Sequence, residues 1–154
     1  MLVPDEAVEI VKKYEGLHKV RSDGLVYPYV CPAGVWTIGY GSTREADGSR
    51  IHAGTPPKTV EECELLLIRD LDDCARKAVW LSPLLVKSDR RRSAIISFIY
   101  NLGWPNYRAS TLRKRVLSED WSGAAGQIKR WVFAAGRKLP GLVRRREEEA
   151  GLLL

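Results

Sequence analysis

Tyr14-Glu15-Gly16 and, after a gap, Cys31-Pro32-Ala33-Gly34-Val35-Trp36-Thr37-Ile38-Gly39-Tyr40-Gly41 are the stretches of this 154-residue chain whose residue types could do chemistry. Residues 5–14 have helical spacing, and Val8, Val11 and Glu15 fall at i, i+3 and i+7, so an apolar face ends in a carboxylate. Gly16, directly after it, reads as the helix C-cap. The last turn of a helix is the negative end of its macrodipole, and partial burial strips hydration. Both favour a protonated carboxyl, the state that a proton donor needs near neutral pH. A surface glutamate at a helix end has the same local sequence, so the rest of the chain must decide between the two.

The elements that would position these residues follow from patterning. Residues 17–55 carry the turn-formers Asp23-Gly24, Pro28, Pro32, Gly34, Gly39, Gly41, Asp47-Gly48 and Gly54. Between them, residues 25–27 and 35–40 have strand composition, with Trp36, Ile38 and Tyr40 on one face, and predict a small antiparallel sheet. Thr59-Val60-Glu61-Glu62 fits a capping box. The helix that it opens has apolar positions at Val60, Cys63, Leu67, Leu71, Cys74 and Ala78 and runs to Trp80, before Ser82-Pro83 stops it. Such a helix is about 33 Å long and could bridge two lobes. Residues 94–100 are apolar nearly all round, which predicts a central buried helix, broken at residues 101–105. Shorter helices are predicted around residues 111–117, from about Trp121 to Ala135 with Gly136 as cap, and from about Gly141 onward.

Length and composition fit one domain with a real core, and no apolar run is long enough to span a bilayer. The N-terminus lacks the basic and apolar regions of a signal peptide, so a protein made in a cytoplasm is expected. Three cysteines do not make a disulfide framework. Cys63 and Cys74 on one helix would stand roughly 16 Å apart, too far to bond. A net charge of +6 and a pI near 9.4 point to an anionic partner: nucleic acid, acidic lipid or a cell envelope. The basic residues cluster at 90–92, 113–115 and 144–146; the last run precedes Glu147-Glu148-Glu149, and Arg144/Glu148 and Arg145/Glu149 are expected as i,i+4 pairs on a solvated face. No nucleic-acid motif accompanies these clusters, and the aromatic residues are not interleaved with them. His18 and His52 are isolated and show no metal spacing.

Taken together, Tyr14-Glu15-Gly16, Gly34 to Gly41, Tyr100-Asn101-Leu102-Gly103, Ser110-Thr111-Leu112, Trp131-Val132 and Leu139-Pro140-Gly141-Leu142-Val143-Arg144-Arg145-Arg146 run in the order of a known family. The chain resembles the phage lysozymes, or endolysins, which cut bacterial peptidoglycan. The resemblance implies a single α+β, lysozyme-like domain over residues 1–154. A small antiparallel-sheet lobe (about 15–58) would be joined by a linking helix (about 59–80) to a larger helical lobe (about 81–154, with the N-terminal helix), with a cleft between the lobes.

In that family a Glu, a carboxylate or cysteine, and a Thr form the catalytic set, the last two separated by five residues. Cys31 and Thr37 keep that spacing. The resemblance implies Glu15 as general acid, Cys31 where most members have Asp, and Thr37 holding the attacking water, since an oxocarbenium-like transition state wants a proton on one side and a base on the other. The family's gap from Glu to the second residue is eight, whereas fifteen residues separate Glu15 from Cys31 here. The seven extra residues lengthen the region around residues 21–24 and leave Asp23 as a rival base, although Asp23-Gly24 reads as a turn. A neighbouring Glu15 carboxylate is expected to raise the Cys31 thiol, leaving it a poor base, a nucleophile, or mainly a spacer that leaves the water on Thr37. Ser42 stands where many members carry His.

By the same resemblance Thr43 on the sheet lobe, and Tyr100, Asn101, Thr111 and Gln127 on the helical lobe, would line the saccharide site. One of Arg144, Arg145 and Arg146 would approach Glu15, the other two lying on a solvated face. The implied activity is hydrolysis of the β-1,4 bond between N-acetylmuramic acid and N-acetylglucosamine, without cofactor or metal, by a monomer. The implied setting is host lysis, with the enzyme held in the host cytoplasm until a holin opens a route to the periplasm and wall. Two rivals stand beside it: a lytic transglycosylase on the same bond, and a non-catalytic wall-binding relic.

Overall fold

The computed structural model describes residues 2–154. Its first helix, α1 (Asp5–Glu15), opens with Asp5 and Glu6 and closes with Lys12 and Lys13 in its last turn, each charge opposing the nearer end of the macrodipole. Ala7, Ile10 and Val11 form its buried stripe, while Val8, expected on that face, is only half-buried. By its contacts the chain divides into two compact units, Val11–Asp70 on the one hand and the stretch up to Ile10 with Leu71–Leu154 on the other. The fold is α+β.

In the unit Val11–Asp70, β1 (Tyr29–Val30) and β2 (Trp36–Thr37) pair antiparallel, with Tyr29 opposite Thr37 and Val30 opposite Trp36. The paired strand is thus 29–30 and not 25–27; Val26 instead makes isolated bridges to Val20 and Lys58. The run expected over 35–40 stops early because Gly39 (φ 65°) and Gly41 (φ 119°) bend it back, and Ile38 then pairs with Ser42. Strict alternation fails for the same reason, and Thr37, Ile38 and Tyr40 are all buried. A Cβ at Gly39 would lie 2.8 Å from the Cβ of Cys63, so only glycine fits that bend. Ser42 donates to Asp70 Oδ2 at 2.6 Å, so a serine here still supplies a hydrogen bond at the position where the family often has histidine.

The helix α2 (Val60–Leu81) opens on the expected capping box. The Thr59 amide donates to Glu62 Oε2 at 2.8 Å, and the Glu62 amide donates to Thr59 Oγ1 at 3.1 Å. Cys63, Leu66, Leu67, Leu71, Ala75 and Ala78 follow as a buried stripe of helical period. Thr59→Ala removes half of the reciprocal pair. It is expected to cost about 1 kcal/mol, which for a domain of this size lowers the thermal midpoint by roughly 2–4 °C. A calorimetric scan of the variant measures it.

The other unit is built on α3 (Asp89–Leu102), entered through a 3-10 turn at Pro83–Lys87. Every residue from Arg92 to Ile99 in α3 is buried, as expected of a central helix, and Gly103 (φ 86°) ends it. After it come α4 (Trp104–Ala109), α5 (Thr111–Leu117) and α6 (Trp121–Ile128), then β3 (Phe133–Ala134), β4 (Arg137–Lys138) and α7 (Pro140–Leu153). The helix expected to reach Ala135 ends at Ile128 instead. Ala135 (φ 50°) and Gly136 (φ 74°) are both left-handed, the geometry of a two-residue hairpin turn, and they join β3 to β4. Val132 and Phe133, β-branched and aromatic, belong to that extended run.

The arginine runs are not surface charge throughout. Arg145, Arg146 and Glu149 are 3%, 0% and 0% exposed, which corrects the expected solvated face; Arg144 alone of its run is exposed. Arg92 is buried as well, its Nε donating to the Leu2 carbonyl at 2.8 Å and its Nη1 to that of Leu85 at 3.2 Å. A buried guanidinium is tolerated only when its donors are satisfied. Among the described residues no helix is long and apolar enough to cross a membrane.

Candidate active site

Glu15 is the last residue of α1 and is half-buried. Gly16 (φ 70°) donates its amide to the Lys12 carbonyl at 3.0 Å, the capping role expected of it. A ring nitrogen of His18 lies 2.9 Å from the Glu15 carbonyl oxygen, and the His18 ring packs on Tyr29 with centroids 5.5 Å apart. His18 carried no assignment from sequence, and its placement three residues past Glu15 gave no signal of this contact.

Cys31 sits at the turn between β1 and β2. Its amide donates to the Val35 carbonyl at 2.9 Å, and Gly34 (φ 79°) donates to the Cys31 carbonyl at 2.8 Å. Hydrogen bonds from the Val35 amide, from the Ala33 amide and from the Thr37 hydroxyl hold the thiol below its ordinary value; burial opposes them and loses. This reverses the expected direction, because donors aimed at sulfur outweigh any carboxylate nearby. Thr37 is buried, and its Oγ1 donates to the Val35 carbonyl at 3.0 Å. One hydroxyl proton therefore has both the carbonyl and the sulfur as acceptors in reach.

Tyr29 is paired across the ribbon with Thr37. Its phenol is pushed up first by burial, then by the charges of Cys31 and Glu15, so it lies within electrostatic reach of both. Asp23, the rival base, is placed differently. Its carboxylate accepts from the Leu25 amide at 2.9 Å and from the Tyr27 hydroxyl at 2.6 Å, which hold it below the usual carboxylate range in an exposed turn. Thr43 is exposed, and its backbone carbonyl accepts from the Ile51 amide at 3.0 Å.

In the helical unit, Tyr100 and Asn101 lie in the last turn of α3, Thr111 begins α5 and Gln127 lies on α6. Thr111 and Gln127 line one hollow of about 270 Å³ with Arg130 and Trp131, two residues to which sequence reasoning gave no site role. Asn101 does not line this hollow but is linked to its wall. Arg146 Nη2 donates to Asn101 Oδ1, and Arg146 Nε donates to the Trp131 carbonyl at 3.0 Å. Arg146 Nη1 meets Glu149 Oε2, while Arg145 Nε bonds Glu149 Oε1 at 3.3 Å and Ser97 Oγ at 3.2 Å. Phe98 meets the Trp131 ring edge-on at 5.3 Å. Among the described residues no cluster of three or more His, Cys, Asp or Glu could hold a metal ion.

Cys31, Cys63 and Cys74 are free thiols. Burial pushes Cys63 up to about 11. Alkylation of the native protein near neutral pH is therefore expected to label Cys31 first and Cys63 only on unfolding, read by peptide mass. Denaturing, non-reducing titration should count all three.

Residues 12–149 match the family model described as Phage lysozyme. A SAR-endolysin of Bacteriophage PS119 is 37% identical over 142 residues, covering 91% of this chain and 78% of that protein. Two solved structures superpose on nearly the whole chain. The endolysin from Escherichia coli O157:H7 phage FAHEc1 has a TM-score of 0.77 at 27% identity, over 100% of this chain and 94% of its own. The muramidase domain of SpmX from Asticaccaulis excentricus has a TM-score of 0.74 at 29% identity, over 99% of this chain and 97% of its own.

Proposed function

The chain belongs to the phage lysozyme family and is a lysozyme, a peptidoglycan hydrolase, and from that premise we propose that it cuts the β-1,4 bond between N-acetylmuramic acid and N-acetylglucosamine. The observation that supports the reading is the match to the Phage lysozyme model over residues 12–149, which takes in Glu15, Cys31 and Thr37, together with a turn that aims the Val35 and Ala33 amides and the Thr37 hydroxyl at the Cys31 sulfur. Such a thiol is present as thiolate, the form able to accept a proton, to a larger extent than a free cysteine near neutral pH.

In this account Glu15 gives its proton to the glycosidic oxygen as the bond to the anomeric carbon breaks. The water held by Thr37 attacks that carbon, and its proton passes to the Cys31 thiolate. Proton exchange with solvent then restores both groups. Thr43, Tyr100, Asn101, Thr111 and Gln127 contact the saccharide, with hydroxyls and amides matched to sugar hydroxyl and N-acetyl groups. The positive net charge favours adsorption to an anionic wall, where the enzyme acts at host lysis.

Purified cell walls stirred with the protein should lose turbidity, at a rate that falls as salt screens the adsorption. Walls that stay turbid with a folded protein would overturn the proposal.

A further inference from the structure

The extra residues between Glu15 and Cys31 form a short hairpin. Val20 pairs with Val26, the Arg21 amide donates to the Leu25 carbonyl at 3.0 Å, and Gly24 (φ 78°) donates to the Arg21 carbonyl at 2.9 Å. The Asp23 carboxylate fastens it through the Leu25 amide and the Tyr27 hydroxyl. Two bonds between Val26 and Lys58, at 2.7 and 2.9 Å, set the hairpin beside the segment 53–57. Arg21 and Tyr27 from the hairpin, Trp36 from β2, and Pro28, Pro56 and Pro57 then wall a hollow of about 380 Å³. None of Glu15, Cys31, Thr37 or Thr43 lines it. Trp36 is next to Thr37, but successive strand side chains point to opposite faces, so the hollow lies across the ribbon from the Tyr29–Thr37 pair.

Its chemistry is set by Arg21. The guanidinium carbon is 3.7 Å from the centroid of the Tyr27 ring, a stack that fixes the plane of its donors before any ligand arrives. The neighbouring carboxylate, Asp23, has its oxygens committed to Leu25 and Tyr27, and Lys58 is paired with Glu45 at 2.7 Å. Arg21 is exposed and has no carboxylate within salt-bridge distance among the described residues, while it feels the Asp23 charge and meets the Tyr27 hydroxyl. Apolar aromatic and proline walls with one pre-oriented, planar cation at the rim suit a short peptide carrying a carboxylate better than a neutral sugar.

We propose that this hollow binds the carboxylate-bearing stem peptide of peptidoglycan, Arg21 taking the carboxylate and the aromatic and proline walls flanking its aliphatic part. The identity of the ligand rests on the reading of the protein as a wall hydrolase. Trp36 belongs to the Gly34–Gly41 run beside the catalytic set, whereas the cation and its stacking partner, Arg21 and Tyr27, come from the extra hairpin.

The test titrates a synthetic stem tetrapeptide, with an acidic second residue and a free C-terminus, into wild type and Arg21→Ala, followed by backbone amide shifts. The expected result is saturable shifts at Trp36 and Gly54 in wild type. In Arg21→Ala the affinity should fall about tenfold or more, the scale of one lost charge-assisted bond pair. The same tetrapeptide with its carboxylates amidated should bind wild type as weakly as the native peptide binds the variant. An N-acetylglucosamine trimer should bind both proteins equally. Equal tetrapeptide affinity in wild type and Arg21→Ala, or no binding to wild type, overturns the inference. Arg21 is exposed and its side chain enters none of the hairpin's backbone bonds, so the amide spectrum of the variant should be that of a folded protein. A protein that binds the tetrapeptide but leaves walls intact would fail the hydrolase reading and spare this site; the reverse result would fail this site alone.

Discussion

Glu15→Gln is expected to yield a folded protein that no longer clears cell walls. The amide keeps the size of the side chain at the end of α1 but has no acidic proton to give, and general acid catalysis contributes ~100- to 10,000-fold. On the free-energy scale that is about 2.7–5.5 kcal/mol of barrier, far above any packing change expected at a half-buried helix end. The Gly16 cap and the Ala7, Ile10 and Val11 stripe do not depend on the carboxyl group, so the thermal midpoint should stay close to wild type. A purified Glu15→Gln that keeps more than about a tenth of the wild-type rate means that the proton comes from elsewhere.

Cys31→Ala should cost at least about a hundredfold, because the base is lost while the turn that holds it is made of backbone bonds. Cys31→Asp should retain activity and carry it to lower pH. The sign follows from which form is the base. The donors at Val35, Ala33 and Thr37 stabilise the thiolate, so the acid limb of the wild-type profile lies below that of a free thiol. A carboxylate, ordinarily near 4 against about 8.5 for a thiol, moves that limb further down. Rates of wall clearing between pH 4 and 9 for wild type and both variants read this directly. If Cys31→Ala stays near full activity while Asp23→Ala is dead, the base is Asp23. The latter outcome would require Asp23 to leave its bonds to Leu25 and Tyr27.

What was legible in the sequence was whatever is decided within a few residues. Thr59 and Glu62 cap each other and no distant partner is involved, so their spacing alone announced the start of α2. The residues of α3 are apolar on every side, which leaves burial as the only stable option. The spacing of Cys31 and Thr37 was legible, but the direction of the thiol shift was not. It depends on amides at residues 33 and 35 that point at sulfur only once the β1–β2 turn has closed.

The arginines of α7 are the opposite case. An i,i+3 or i,i+4 Arg–Glu pair has the same sequence on a solvated face and in a core. What separates them is whether Ser97, Asn101 and the Trp131 carbonyl, far away along the chain, arrive to satisfy the remaining donors. Gly136 was ambiguous in a similar way. A glycine after a helical run serves as a cap or as the second residue of a hairpin turn, and the extended Val132-Phe133 stretch chose the hairpin. Arg130 and Trp131 entered the hollow beside Gln127 because α6 ended early, which no periodicity revealed.

The most direct test of the central claim is the mass and reducing character of the fragments released from purified peptidoglycan. Hydrolysis by Glu15, Cys31 and Thr37 predicts fragments ending in N-acetylmuramic acid that carry the added water and are reduced by borohydride. Fragments one water lighter, resistant to borohydride, would mean an intramolecular anhydro product and would contradict the water held by Thr37. Reducing ends on N-acetylglucosamine would contradict the bond assigned.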